Sequence, residues 1–248
     1  MDGNRGCAMG LIEQMIRYAV WSSGQERIVI GISGGVDSAV AAAFCCRAIE
    51  GERVLGLTLP TTVTPEIDIA DARLLCRQLG MDHQVISIEP VLDAYRELPG
   101  FTASSYLLGN LMARTRMAVL YYYANRDGGL VCGTSNRTEY LLGYCTKFGD
   151  NAADIQPILH LYKTEVWDYA RDLGIPEAII RKPPSAGLWT GQQDESEIGL
   201  TYPEIDAALR SLERNGWKST SPVEEKVLSL VRASEHKRLP APTLLGTD

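Results

Sequence analysis

The chain has 248 residues, 45% hydrophobic and 22% charged, a balance typical of a globular protein with a substantial core. A formal net charge of −7 argues against broad binding to nucleic-acid backbones, so an anionic ligand must meet locally gathered cations. There is no run of roughly 18 uncharged apolar residues, and Asp2, Arg5, Glu13 and Arg17 interrupt the N-terminal segment, so a cytoplasmic protein without a membrane partner is expected.

Leu11, Ile12, Met15, Ile16, Ala19 and Val20 share one helical face and predict a first helix over about 9–22. A strand over 27–32 breaks into Ser33-Gly34-Gly35-Val36-Asp37-Ser38, and a helix is expected over 40–49. A second strand is expected over 54–59. Pro65 and Glu66 then open a helix that runs to Leu79 and stops at Gly80. A third strand over 84–88, a long helix over 105–124 and a short strand over 130–133 follow. Strands alternating with helices predict an α/β fold, a doubly wound parallel sheet with helices on both faces. Sites in such sheets lie beyond the carboxyl ends of the strands, here Ser33-Gly34-Gly35, Leu59-Pro60 and Gly133-Thr134. Beyond residue 150 the pattern changes to short helices, expected over 163–173, 176–181, 202–215 and 223–233. The chain is read as a single domain over 1–248, with its core sheet over about 27–160 and a helical closing segment over about 161–248.

Residues 27–39 read RIVIGISGGVDSA: strand, glycine turn, helix N-terminus. Adjacent glycines bring bare N–H groups close to an anion, and the helix adds unsatisfied donors and partial positive charge. Ser33 and Ser38 supply hydroxyls, and Asp37 is a carboxylate suited to Mg2+ beside phosphates. The Gly-Lys-Ser/Thr ending of a kinase-type loop is missing, so terminal phosphoryl transfer is not indicated. A glycine turn without a ligand is the alternative. Cations that could meet an anion are Arg114, Arg116, Lys147, Lys163, Lys182 and the His236-Lys237-Arg238 run. The six cysteines, at 7, 45, 46, 76, 132 and 145, form no C-x-x-C; they read as reduced thiols, three of them small buried hydrophobes.

A second strand-to-helix junction, VCGTSNRTE over 131–139, repeats this logic, with Thr134 at a strand end and Glu139 about one turn into a helix. Taken singly, Glu139 reads as well as a solvated acid, and Arg114 and Arg116 as charges on an exposed helix face. Lys147, Asp154 and His236 taken singly read as ordinary surface residues. The order and spacing of the motifs favour a site. The first loop resembles the SGGxDS loop of the ATP pyrophosphatases, which cleave ATP between the α- and β-phosphates. With NLMARTRM over 110–117, GYCTKFGD over 143–150, DIQP over 154–157, LYKTEV over 161–166, KPPSA over 182–186 and HKRLP over 236–240, it resembles the NAD synthetases, most closely the stand-alone ammonia-dependent kind. The resemblance runs from about Gly31 to Pro240.

This resemblance implies a Rossmann-like, adenine nucleotide alpha hydrolase-like fold. It implies an ATP phosphate loop of Gly31, Ile32, Ser33, Gly34, Gly35, Val36, Asp37 and Ser38, with further ATP contacts from Thr134, Lys163 and Ser185. Ser33, Asp37, Ser38 and Lys163 form the implied catalytic set, and Asp37 and Glu139 the implied Mg2+ ligands. Arg114, Lys147, Asp154, His236 and Lys237 are implied contacts to the dinucleotide, Arg114 reaching in from the neighbouring subunit of a homodimer. Cys145 and Phe148 depart from the usual Phe and Tyr around the Thr-Lys pair, Asn151-Ala152 from Gly-Gly, and Ser185 from Thr. Tyr121-Tyr122-Tyr123 reads as packing or dimer surface.

The implied reaction adenylates deamido-NAD with ATP and amidates it with ammonia, giving NAD, AMP and pyrophosphate. A glutamine-hydrolysing enzyme would need a further catalytic domain with its own nucleophilic Cys, so ammonia, free or delivered by another chain, is expected. Loops over 148–154 and 183–193 are expected to order on binding. The alternatives are another ATP-pyrophosphatase activity and a nucleotide-binding sensor without turnover.

Overall fold

Ile28, Val29 and Ile30 give the strand Arg27–Gly31 (β1) three consecutive β-branched side chains, which suit a strand covered on both faces. In the computed structural model, which describes residues 3–189 and 191–243, all three are fully buried. The other strands are Val54–Thr58 (β2), Asp82–Val85 (β3) and Gly129–Cys132 (β4), joined in a parallel sheet ordered β3-β2-β1-β4. Chain order reverses at β1, which opens a crevice between the carboxyl ends of β1 and β4.

The pleat sorts the side chains. Val29 lies opposite Leu55 and Val131, and all three join Leu92 of Glu89–Arg96 (α4) and Met112 of Ser105–Asp127 (α5) in one core. Ile28 and Ile30 enter the other core, with Ile16 of Gly3–Ser23 (α1), Phe44 of Val36–Ile49 (α2) and Val166 of Lys163–Asp172 (α7). Phe44 is fully buried and meets the Tyr169 ring at 5.8 Å between centroids. Removing such a ring costs about 3–5 kcal/mol. A third apolar cluster, around Tyr162, Ile205, Leu209 and Val227, joins Arg137–Leu142 (α6), Tyr202–Arg214 (α10) and Pro222–Ala233 (α11). Glu66–Leu79 (α3) ends at Gly80 in the left-handed region, as its sequence predicts. Glu177–Ile180 (α8), Asp194–Ile198 (α9) and Glu235–Arg238 (α12) complete the described α-helices, and a 3-10 turn spans Gly51–Arg53.

Several boundaries differ from the expectations. α2 starts at Val36 rather than 40, so Asp37 and Ser38 sit in its first turn and not in a loop. The reason is local: Ser38 Oγ donates to Gly35 O (2.9 Å) and Ala39 N reaches the same carbonyl (3.2 Å). β3 covers 82–85, not 84–88; beyond it Ile86 N still bonds Thr58 O (2.9 Å), but Ile88 turns into the core and precedes α4. α4, α9 and α12 were not expected. Each is short, and α4 is held by burying Leu92. Thr190, within the 183–193 loop, and residues 1–2 and 244–248 of the expected single domain lie outside the described residues.

Candidate active site

β1 ends at Gly31, and Ile32 N continues its pairing by donating to Leu57 O (2.9 Å). The chain then turns through Gly34 at φ 80°, where a Cβ would stand 2.5 Å from Asp68 O. Both the left-handed conformation and the close approach of α3 therefore demand glycine. The hydroxyls of Ser33 and Ser38 lie 3.1 Å apart, Ser33 N donates to Ser38 Oγ (3.3 Å), and Gly35 N donates to Ser33 Oγ (3.2 Å). These bonds latch the turn onto the first turn of α2. The N–H groups of Val36, Asp37 and Ser38 have no intrahelical acceptors there, and α2 adds its dipole. An anion is the ligand such a turn accepts.

Behind the turn stands a buried charge cluster. Lys163, the first residue of α7, is 2% exposed. Its Nζ lies 2.5 Å from Asp37 Oδ2, 3.3 Å from Glu139 Oε1 and 5.1 Å from the centre of the Tyr202 ring. Fully buried Asn136 ties the two acids from the other side. Its Nδ2 donates to Asp37 Oδ1 (2.8 Å) and its Oδ1 accepts from Glu139 N (2.9 Å), capping α6. Burial, reinforced by the Asp37 charge, pushes the Glu139 carboxyl up to about 8 despite Lys163. Burial alone would lower the Lys163 ammonium; Asp37 and Glu139 outweigh it and hold the group above the ordinary lysine value.

The position of Lys163 is set by a residue that the sequence reading missed. Asp206 of α10, 2% exposed, accepts from Thr138 Oγ1 (2.5 Å) and Thr164 N (2.9 Å), while Thr138 Oγ1 accepts from Lys163 N (2.9 Å). The available signal was a carboxylate beside Tyr202, Ile205 and Leu209 in an otherwise apolar helix face. Asp194, also buried, accepts from Tyr202 OH (3.0 Å) and Ala186 N (3.0 Å), so it pins the 183–193 loop beside the cluster.

Thr134 follows β4, whose neighbour Gly133 N bonds Ile155 O (2.8 Å). Ser185 is exposed and its Oγ accepts from Gly187 N (3.1 Å). A second group lies where 143–147 meets α12. Lys147 Nζ donates to His236 O (2.5 Å) and Leu239 O (3.2 Å), and Lys237 Nζ to Gly143 O (2.7 Å) and Cys145 O (2.8 Å). Arg114 Nη2 reaches Lys147 O (3.3 Å). Asp154 is engaged elsewhere, accepting from Val131 N (2.7 Å) and from Tyr121 OH (3.3 Å). Tyr121 thus has a polar partner beyond the packing or dimer-surface role expected of it, whereas Tyr122 is 64% exposed.

A family model described as NAD synthase matches residues 9–241. The chain belongs to that family. The NH(3)-dependent NAD(+) synthetase of Methanoregula boonei is 65% identical over 241 residues, covering 97% of each chain. Among solved structures, NMN synthetase from Francisella tularensis superposes with TM-score 0.88 at 37% identity, covering 96% of this chain and 98% of that one. The NH3-dependent NAD synthetase of Campylobacter jejuni superposes with TM-score 0.83 at 32% identity, covering 98% and 100%. The parallel sheet flanked by helices, an α/β Rossmann-like fold, is therefore shared with NAD synthetase structures.

Proposed function

We propose that this chain adenylates deamido-NAD with ATP and amidates the product with ammonia, giving NAD, AMP and pyrophosphate. The observation that carries this reading is Lys163 held between Asp37 and Glu139, directly behind an anion-gripping turn. A carboxylate resists amination because oxide is a poor leaving group. In the first step a nicotinate oxygen attacks the α-phosphorus, and the bond to the bridging oxygen breaks as pyrophosphate leaves. In the second, ammonia attacks the acyl carbon, AMP departs with the C–O electron pair, and the extra proton of the nitrogen passes to solvent. Neither step needs an enzyme nucleophile.

The residues then act by position and charge. Gly31 to Ser38 cradle the β- and γ-phosphates, Lys163 offsets charge developing at the α-phosphate, and Thr134 and Ser185 seat the rest of the nucleotide. Lys147, His236 and Lys237 face the dinucleotide, and Asp154 contacts it from the edge of β4. Two partly buried carboxylates share one ammonium, and burial together with the Asp37 charge pushes Glu139 up, a donor set that a divalent cation would relieve. Among the described residues no group of three or more His, Cys, Asp or Glu side chains forms a metal cage, which suits an ion that keeps waters and phosphate oxygens. Bound Mg2+, held by Asp37 and Glu139, would neutralise the leaving pyrophosphate.

The same reading makes the helical segment over about 161–248 the closing part of a single domain, and places the protein in the cytoplasm. No helix of the described residues is long and apolar enough to cross a membrane. A homodimer through α5, where Tyr106 is 71% and Leu107 51% exposed, would bring Arg114 to the neighbouring site.

Purified protein given ATP, Mg2+, ammonium and deamido-NAD is expected to form NAD and AMP in equal amounts, with glutamine unable to replace ammonium. AMP without NAD would overturn the reading in favour of another ATP pyrophosphatase, and binding without AMP in favour of a sensor. The likeness to an NMN synthetase supplies the second reading. A parallel assay with the deamido form of that mononucleotide separates the two by their ratio of kcat/KM.

A further inference from the structure

Lys182 belongs to the KPPSA motif and is the cation of the nucleotide region to which nothing above gives a role. It stands two residues beyond α8, with its side chain 23% exposed. Its Nζ donates to Gly34 O (3.0 Å) and Asp68 Oδ1 (2.5 Å), and lies 2.7 Å from Asp71 Oδ2 as an ion pair outside hydrogen-bond alignment. Asp68 and Asp71 sit three apart on α3, hence on one face. Two acceptors take hydrogen bonds from the ammonium, and the two carboxylates more than balance its charge.

We propose that Lys182 is a positioning residue that fixes the orientation of the Gly34–Gly35 peptide in the phosphate turn. A peptide unit is planar, so the Gly34 carbonyl and the Gly35 N–H point in opposite directions. Holding the carbonyl toward α3 therefore turns the N–H outward, where it meets Ser33 Oγ in this structure. Two consecutive glycines offer little steric resistance to a flip of that peptide, which would aim a carbonyl oxygen at the anion instead. The same Gly34 has no room for a side chain because Asp68 O approaches it, so α3 and Lys182 grip one residue from two sides. Lys182 also lies three residues before Ser185. The clamp thus joins the turn to the 183–193 loop, and both arms of the ATP site share one anchor.

This inference rests on the turn binding ATP, and its test has an arm that does not need turnover. In the unliganded protein, Lys182→Met should speed hydrogen exchange across 33–38 while leaving exchange in β2 and α5 unchanged. With ATP it should raise the KM for ATP by about tenfold, the scale of one charge-assisted hydrogen bond, with kcat and the KM for the second substrate within about threefold. Lys182→Arg should restore most of the loss, and Asp68→Asn should reproduce part of it. Unchanged exchange in Lys182→Met would overturn the proposal. So would an ATP defect in Lys182→Met with none in Asp68→Asn, because Lys182 would then be a direct phosphate ligand. Absence of ATP cleavage by the unaltered protein would sink the functional reading and leave the exchange result standing.

Discussion

The two cation-bearing regions of this protein hold their charges in opposite ways. At the nucleotide end, Lys163 is paired with Asp37 and Glu139, and Lys182 with Asp68 and Asp71. Where 143–147 meets α12, the side chains of Lys147 and Lys237 rest on main-chain carbonyls, and Arg238 bonds the carbonyls of Leu141 (2.7 Å) and Val231 (2.6 Å). A carboxylate partner cancels charge and fixes geometry; a carbonyl partner fixes geometry and leaves the positive charge in place. The first arrangement suits a site where charge moves during a reaction. The second suits a surface that attracts a dianionic pyrophosphate bridge.

This contrast makes ordered predictions. The largest effect should come from Lys163→Met, which leaves Asp37 and Glu139 facing each other and removes the cation proposed to offset charge at the α-phosphate. NAD formation should fall by about a thousandfold in kcat/KM, with circular dichroism reporting the fold. A change confined to the KM for the dinucleotide would erase the distinction between the regions. Next, Lys147→Ala combined with Lys237→Ala should raise the KM for deamido-NAD by about 10–100-fold, with kcat nearly unchanged. That KM in the unaltered protein should also rise with added salt, because Lys147 and Lys237 rest on carbonyls rather than in close ion pairs.

A smaller effect concerns where Arg114 works. Inactive Arg114→Ala and Lys163→Met chains, refolded together, should regain about a quarter of full activity, since half the dimers are mixed and each has one complete site. No recovery would place Arg114 at its own chain's site, beside the Lys147 carbonyl that it already touches. The smallest effect is on stability. With Glu139 pushed up to about 8, the folded state keeps a proton that the unfolded chain has lost at neutral pH. Stability without ligands is therefore greatest at low pH within the window and falls as pH rises from about 5 to about 8. Glu139→Gln should flatten that slope in thermal melts.

Much of the nucleotide end was legible because its determinants are local. Ser33-Gly34-Gly35 announces a turn wherever it occurs, and an N-cap Asn three residues before Glu139 announces α6. Strand alternation put the carboxyl ends of the strands on one edge, while the pairing of β1 with β4 emerged only in the sheet order. Asp206 was not legible, because a buried acid in an amphipathic helix says nothing of which backbone it will cap. Nor was the engagement of Asp154 with Tyr121, which depends on α5 crossing β4 at that level.

Local chemistry therefore wrote the strand–turn–helix grip, the left-handed turn at Gly34 and the alternation that builds a parallel sheet, because each depends on φ, ψ and side chains within a few residues; the close approach of Asp68 that leaves Gly34 no room for a side chain is tertiary. The pairing of Lys163 with Asp37, 126 residues away, came from packing α2 and α7 against the same sheet face. Charge partners at that separation are chosen by the geometry of buried apolar surfaces, and no spacing along the chain encodes them.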